Sequence, residues 1–267
     1  MRIIEWPHFL KEPSPFGDSK TAITIGVFDG VHRGHKALIQ SVVAFKGAIP
    51  VVVTFRHNSH KKKLKSDGEY AGDISSFRQK MAAFKSLGIA AVVIIEFSEI
   101  FRRMTGDEFS RILRDHGKMS FLAVGSNFRC GYQLDTDAQR LLELNAERNI
   151  PTDIVQVLTE DSITISSSQI RAAINRGDLK TAAAMLGYHF TIDLADVLAV
   201  SDKNSACYGV KERGRIIPPP GRYPVLLHGI KDKKAIIQPE KALVEGGNLI
   251  IRANSTDTRL ESVEFLF

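Results

Sequence analysis

Cysteine is scarce in this 267-residue chain, with only Cys130 and Cys207. Two thiols cannot build a disulfide framework, and they fit a reducing cytoplasm better than a secreted scaffold. No apolar run approaches the ~18 residues of a membrane-spanning helix. The first residues, Met1-Arg-Ile-Ile-Glu-Trp-Pro7, lack the apolar stretch of a secretory signal. Charge of one sign is equally limited: 36 basic against 30 acidic residues leave a formal excess of +6. That excess suits small phosphorylated ligands and is too weak to argue for nucleic acid. There is no internal repeat, and Pro218-Pro-Pro220 is short enough to be a turn. The expectation is a soluble cytoplasmic protein without a nucleic-acid or membrane partner; nothing in the composition speaks to oligomeric state.

The chain does contain strand-length apolar runs alternating with helical patterns. A strand over about 21–28 leads through a glycine turn to a helix over about 34–46. Pro50-Val-Val-Val-Thr-Phe55, Ala91-Val-Val-Ile-Ile95, Phe121-Leu-Ala-Val124 and Asp153-Ile-Val-Gln-Val157 read as further strands. Unbroken apolar strands of this kind belong to sheets buried on both faces. Ser76-Phe-Arg-Gln79 and Thr105-Gly-Asp-Glu108 resemble capping boxes, with Gly88 and Gly117 as stops, and helices are expected over 137–148, 167–176 and 179–186. Such alternation predicts βαβ units, right-handed crossovers and a parallel sheet that binds ligands at the carboxyl ends of its strands. Gly26, Phe28, Phe55, Gly125 and Asn127 lie at or just past those ends. From about Thr191 helical periodicity disappears, and short runs such as Tyr223–Leu227 and Asn248–Arg252 alternate with Gly, Pro, Asn and Lys. This predicts a small antiparallel β-domain. The expected division is 1–188 and 189–267.

The most informative stretch is Thr24-Ile-Gly-Val-Phe-Asp-Gly-Val-His-Arg-Gly-His35. It reads as a buried strand, a turn on Asp29-Gly30, and a helix start carrying His32 and His35. The pair His32-x-x-His35 has three readings. As a metal site it lacks a nearby Cys, Asp or Glu to complete the usual shell. As ordinary surface it would be two polar residues at a helix start. As an anion site it would use imidazoles, unpaired N–H groups and the helix dipole on phosphoryl oxygens. The glycine-rich turn favours the last. Neither G-x-x-x-x-G-K-[ST] nor a G-x-G-x-x-G after the strand is present.

Gly26-x-Phe28-Asp29-Gly30-x-His32-x-Gly34-His35 resembles the signature of the bacterial FAD synthetases, the riboflavin kinase/FMN adenylyltransferases, within the wider HxGH nucleotidyltransferases. The resemblance covers roughly residues 20–188. Val52-Val-Thr-Phe55, Gly125-Ser-Asn-Phe-Arg129-Cys-Gly131 and Ile165-Ser-Ser-Ser-Gln-Ile-Arg171 match in the same order. It implies a Rossmann-like nucleotidyltransferase domain followed by a small β-barrel-like domain. It also implies that FMN attacks the α-phosphorus of ATP, giving FAD and pyrophosphate. His32 and His35 would contact the ATP phosphates, with N–H groups near Gly26 and Phe28 helping. Ser166, Ser167 and Arg171 would hold the β- and γ-phosphates, although Ser166-Ser-Ser168 alone reads as a helix cap. Asn127, Phe128 and Arg129 would lie by the nucleotide and flavin, with Phe128 reading more as core. Asp29 would either orient a histidine or make the turn. Mg²⁺ would be held mainly by the ATP phosphates.

The chain departs from the family pattern at several points. After Phe55 the family has an acidic residue and Pro-His-Pro, whereas this chain has Arg56-His-Asn-Ser59, so His57 and Asn58 match only with a shift. Tyr132-Gln-Leu-Asp-Thr-Asp137 is acidic where the family is basic, and Gln169 stands where arginine is common. Lys61-Lys-Lys63 with Lys65 reads as a solvated loop or as steering for anionic substrates, and the gap up to Ser76 is a lid candidate by length. The C-terminal region shows no Gly-Phe-Pro-Thr-Ala-Asn-like motif and no following catalytic glutamate. The expectation is a degenerate kinase-like domain without kinase activity. The alternatives are a bifunctional enzyme, an HxGH enzyme acting on another phosphorylated acceptor, and a non-catalytic flavin-nucleotide-binding protein.

Overall fold

The structure is a computed structural model that describes residues 1–56, 72–160, 163–201, 205–252 and 259–267. Two compact units account for the chain.

The first unit comprises Met1–Phe28, Gly34–Asp67 and Met81–Leu158. Its centre is a six-stranded, wholly parallel sheet of β1 (Arg2–Glu5), β2 (Thr21–Ile25), β3 (Ile49–Phe55), β4 (Ala91–Ile95), β5 (Met119–Gly125) and β6 (Thr152–Val155). The order across the sheet is β1-β4-β3-β2-β5-β6. The chain therefore runs outward from β2 through β3 to β4, then restarts beside β2 at β5. That reversal makes a topological switch point at β2/β5. Every residue of β2 and β4 is buried, as expected of strands covered on both faces. The crossovers carry helices α1 (Arg33–Ala44), α2 (Phe77–Ser86), α3 (Gly106–Asp115) and α4 (Ala138–Ala146). Thr105 and Glu108 form the expected capping box on α3, and Ser76 and Gln79 bond reciprocally at the start of α2. Trp6, Phe9, Ile23, Val53, Val93, Leu113 and Leu122 are among the core residues. The edge strand β1 lies outside the sequence reading, which had only a short N-terminal segment there. Its pairing with β4 is non-local and its exterior half is exposed, so neither alternation nor an apolar run marks it.

The second unit comprises Asp29–Arg33, Gly68–Lys80 and Thr159–Phe267. It holds helices α5 (Ser167–Asn175) and α6 (Leu179–Leu186) and a curled, seven-stranded antiparallel sheet. The strands are β7 (Thr191–Asp193), β8 (Ala199–Ser201), β9 (Ser205–Tyr208), β10 (Gly221–Lys231), β11 (Lys234–Glu245), β12 (Asn248–Arg252) and β13 (Arg259–Phe265), in the order β7-β13-β10-β11-β12-β9-β8. A register shift between His228 and Gly229 adds local twist where β10 meets β13. The antiparallel strands begin at Thr191, and the same compact unit reaches back to Thr159. Ile170, Ile174, Leu179 and Leu186 of the two helices share one core with Phe190, Val225, Val244 and Phe265 of the sheet region. Helices with one apolar stripe must bury it, and the inner face of this sheet is where they do so.

Candidate active site

The turn after β2 starts from backbone that only particular residues tolerate. Phe28, Gly30 and Val31 have φ of 55°, 80° and 35°. A Cβ on Gly26 would lie 3.1 Å from Phe28 Cε2, so Gly26 is the residue over which the Phe28 ring can close. That ring is fully buried and packs edge-to-face on His35 (centroids 5.0 Å apart) and on Phe84 (5.5 Å). The strained aromatic thus holds one wall of the His35 imidazole. The Gly26 N–H donates to the Val53 carbonyl at 3.1 Å, and the Thr54 hydroxyl donates to the Val27 carbonyl at 3.1 Å. Gly26 therefore serves the sheet with its N–H. Parallel register puts the ends of β2, β3 and β5 on one edge, which gathers Gly26, Phe55 and Gly125 at the carboxyl side of the switch point.

The next residues, Asp29–Arg33, carry His32, which is 5% exposed. The Asp29 carboxylate accepts the N–H groups of Ile74 (3.0 Å) and Ser75 (3.1 Å) and pairs with the Arg171 guanidinium. Burial pushes its pKa above the usual carboxylate range, while Arg171 and the two N–H groups act in the opposite direction. Three backbone groups of the turn are tied as well. The Asp29 carbonyl accepts the Ser167 hydroxyl at 2.9 Å, the Gly30 N–H donates to Ser75 Oγ at 3.0 Å, and the Tyr188 hydroxyl donates to the Gly30 carbonyl. These bonds tie the Asp29 carboxylate to Ile74, Ser75 and Arg171. Arg171 also donates through Nε to the Gly72 carbonyl at 2.9 Å. Ser166 is the N-cap of α5, accepting the Gln169 N–H at 3.3 Å.

After β5, the Phe128 N–H closes a turn on the Gly125 carbonyl at 2.9 Å, leaving Asn127 and Arg129 exposed and Phe128 half-buried against the core. The acidic stretch that follows is tightly built. Asp135 Oδ1 accepts the Gly106 N–H at 3.0 Å, and a Cβ on Gly131 would fall 2.0 Å from that oxygen. Burial pushes the neighbouring Cys130 thiol up to about 12, which disfavours the thiolate. Phe55 packs on Phe97 and Phe101, with centroids 5.1 and 5.9 Å away. His57, Asn58 and the lysines at 61–63 and 65 lie outside the described residues.

Sequence reasoning did not single out Ile74, Ser75, Lys80 or Glu160, and it took Tyr188 only as a boundary marker. Glu160 pairs with Arg33 beside His32 in the chain. Lys80 is 7% exposed, and burial lowers it to about 8, against the opposing pull of Asp29 and Asp73. These contacts join residues far apart in sequence and leave no periodic trace. Among the described residues no three His, Cys, Asp or Glu side chains cluster as a cation cage. The groups around the turn are imidazole, hydroxyl and guanidinium donors, which suit phosphoryl oxygens. An open cavity of about 610 Å³ sits at the other, N-terminal edge of the parallel sheet and is lined by Lys20, Lys46, Arg114 and Arg148. The last three lie at the C-terminal ends of α1, α3 and α4, where cations balance the helix dipoles.

A Rossmann-like parallel sheet with a glycine turn after the strand at its switch point defines an α/β protein. A family model described as FAD synthetase matches residues 15–169, more than half of the chain. This chain belongs to the FAD synthetase family. It is 31% identical over 195 residues to the bifunctional riboflavin kinase/FMN adenylyltransferase of Escherichia coli K12, covering 72% of this chain and 61% of that protein. The FAD synthetase of Listeria monocytogenes is 29% identical over 181 residues, covering 67% and 74%. The bifunctional Bacillus subtilis enzyme is 27% identical over 228 residues, covering 82% and 69%. The chain thus spans about three fifths of the E. coli relative's length. A solved Streptococcus pneumoniae structure titled macrolide-efflux protein shares the fold over 100% of this chain and 90% of its own, with TM-score 0.77 and 20% identity. Among the described residues no helix is long and apolar enough to cross a membrane.

Proposed function

We propose that this protein is an FMN adenylyltransferase, forming FAD and pyrophosphate from ATP and FMN. The observation that carries the reading is the locked turn from Gly26 to Val31, which delivers His32 and His35 to a helix start at the carboxyl edge of a parallel sheet, in a chain of the FAD synthetase family. An FMN phosphate oxygen forms the new bond to the α-phosphorus while the bond to the bridging oxygen breaks, and that electron pair leaves with pyrophosphate. The nucleophile is already an anion, so no strong base is required. Catalysis is then orientation and stabilisation of charge on the phosphoryl oxygens.

In this reading His32 and His35 donate to the phosphoryl oxygens, and the Phe28 ring keeps the His35 imidazole in orientation. Ser166, Ser167 and Arg171 serve the β- and γ-phosphates, with Gly30 and Gly34 leaving room for close approach. Asn127, Phe128 and Arg129, with Phe55, His57 and Asn58, serve the flavin nucleotide side. Mg²⁺ enters as part of the ATP substrate, and the reaction takes place in the cytoplasm. Riboflavin phosphorylation is not part of the reading, which rests on the missing Gly-Phe-Pro-Thr-Ala-Asn-like motif.

The experiment is to incubate the protein with Mg²⁺, ATP and either FMN or riboflavin and to separate the flavins chromatographically. FAD from FMN alone is expected. No FAD from FMN overturns the reading, and FMN or FAD from riboflavin overturns its exclusion of kinase activity.

A further inference from the structure

The C-terminal sheet has no assigned task, yet it is bonded to the segment that holds the Asp29 turn. Asp73 lies beside Arg215 as a short parallel bridge: its N–H donates to the Gly214 carbonyl at 2.8 Å, and the Ile216 N–H donates to its carbonyl at 3.0 Å. Gly72 permits this approach. Its φ is 104°, and a Cβ there would sit 2.4 Å from the backbone of Arg215 and Ile216. One turn later, Asp193 at the end of β7 takes hold of the same segment. Its carboxylate accepts the Ser76 hydroxyl at 2.5 Å, Arg78 through Nη2 at 2.6 Å and Nε at 3.1 Å, and the Ala195 N–H at 3.0 Å. Asp193 is 1% exposed. Burial works against its charge, but the Arg78 and Ser76 bonds prevail and keep its pKa below the usual range. Arg215, itself buried, closes the assembly on the Asp193 carbonyl and the Asp196 carboxylate. Gln79 adds a bond to the Thr191 carbonyl at 2.9 Å.

Between these two anchors sit Ile74 and Ser75, whose N–H groups hold the Asp29 carboxylate, while Ser75 Oγ holds the Gly30 N–H. The links are backbone and charge-assisted hydrogen bonds anchored on buried Ile74, Ser76, Asp193 and Arg215, so displacement of one end is passed along the close-packed segment. We infer that Asp193 and Arg215 are positioning residues for adenylyl transfer: the C-terminal sheet is the buttress that fixes residues 72–79, and through them the turn that presents His32. This rests on the proposed FMN adenylyltransferase activity. It gives the region with no kinase motif a task in the chemistry of the other site residues.

The test is steady-state kinetics of the full chain carrying Asp193→Asn, Arg215→Ala, Arg215→Lys or Ser76→Ala. A misplaced histidine weakens the transition state more than ground-state binding. For Asp193→Asn and Arg215→Ala, kcat is therefore expected to fall at least roughly tenfold, with KM for ATP and FMN within about threefold of wild type. Arg215→Lys should recover part of that loss. A change in the His32 imidazole resonances of Asp193→Asn is the matching spectroscopic sign. Ser76→Ala keeps Arg78 on Asp193 and should fold even where the others do not, with kcat reduced about threefold. Folded variants with wild-type kcat, Ser76→Ala included, overturn the inference. So does a fall in folded fraction alone, with unchanged turnover per folded molecule. Wild-type protein that forms no FAD overturns the activity itself, so the two failures are distinguishable.

Discussion

Asp29 and Arg171, 142 residues apart in sequence, form an ion pair whose side chains are only 8% and 15% exposed. The pair joins the turn after β2 to helix α5. Removing one partner from a buried pair leaves an uncompensated charge, so Arg171→Met is expected to destabilise the protein by about 3 kcal/mol or more. Pairing it with Asp29→Asn should restore part of that loss, with a coupling of roughly 1–3 kcal/mol in a double-mutant cycle followed by urea unfolding. FAD synthesis should stay low in the double variant, because neither substituent can serve a phosphate. Full recovery of activity with stability would reduce Arg171 to a structural partner.

Gly26→Ala tests the closure of the Phe28 ring. The new Cβ would meet Phe28 Cε2 at 3.1 Å, and the ring is enclosed by His35 and Phe84. Overpacking of this kind costs about 1–3 kcal/mol. Because the ring also orients His35, kcat should fall with it. A variant with normal melting temperature and normal kcat would show that the ring moves freely.

His32→Ala and His35→Ala should each lower kcat by about 10²-fold or more while the far-ultraviolet circular dichroism stays that of the wild type. An unchanged rate in both would remove the imidazoles from the mechanism.

Lys80 supplies a pH test of stability. Burial lowers it from 10.5 in the ordinary side chain to about 8, with Asp29 and Asp73 opposing. Between those two values the unfolded chain holds a proton that the folded protein has released. Unfolding then takes up protons, and stability rises with pH across the window. The stability difference between wild type and Lys80→Met should therefore shift toward wild type by up to about 3 kcal/mol between pH 8 and 10.5. A pH-independent difference in denaturant titrations would place the Lys80 titration at its ordinary value.

The strands β2 to β6, both capping boxes and the change to antiparallel strands were legible because each has a local cause: apolar runs, hydroxyl and carboxylate spacing, and loss of helical period. The edge strand β1 was not, since its pairing with β4 depends on a partner 89 positions along the chain (Arg2 with Ala91). Ser166 is a helix cap on local grounds, and the structure has it capping α5. Asp29 was open between two roles, and its partners Ile74, Ser75 and Arg171 come from two distant segments that no spacing rule connects.

By itself, the sequence determined the parallel α/β class, the position of the glycine turn and the histidines at the head of α1. Periodicity and turn chemistry act within a few residues, so they can be read along the chain. Only the tertiary structure decided that Thr159–Leu186 packs with the C-terminal sheet, that the N–H of Gly26 bonds to β3 within the parallel sheet, and that Asp29 is enclosed by residues 74, 75 and 171. Those outcomes follow from burying apolar faces and satisfying buried polar groups, and both are settled by segments that meet only once the chain has folded.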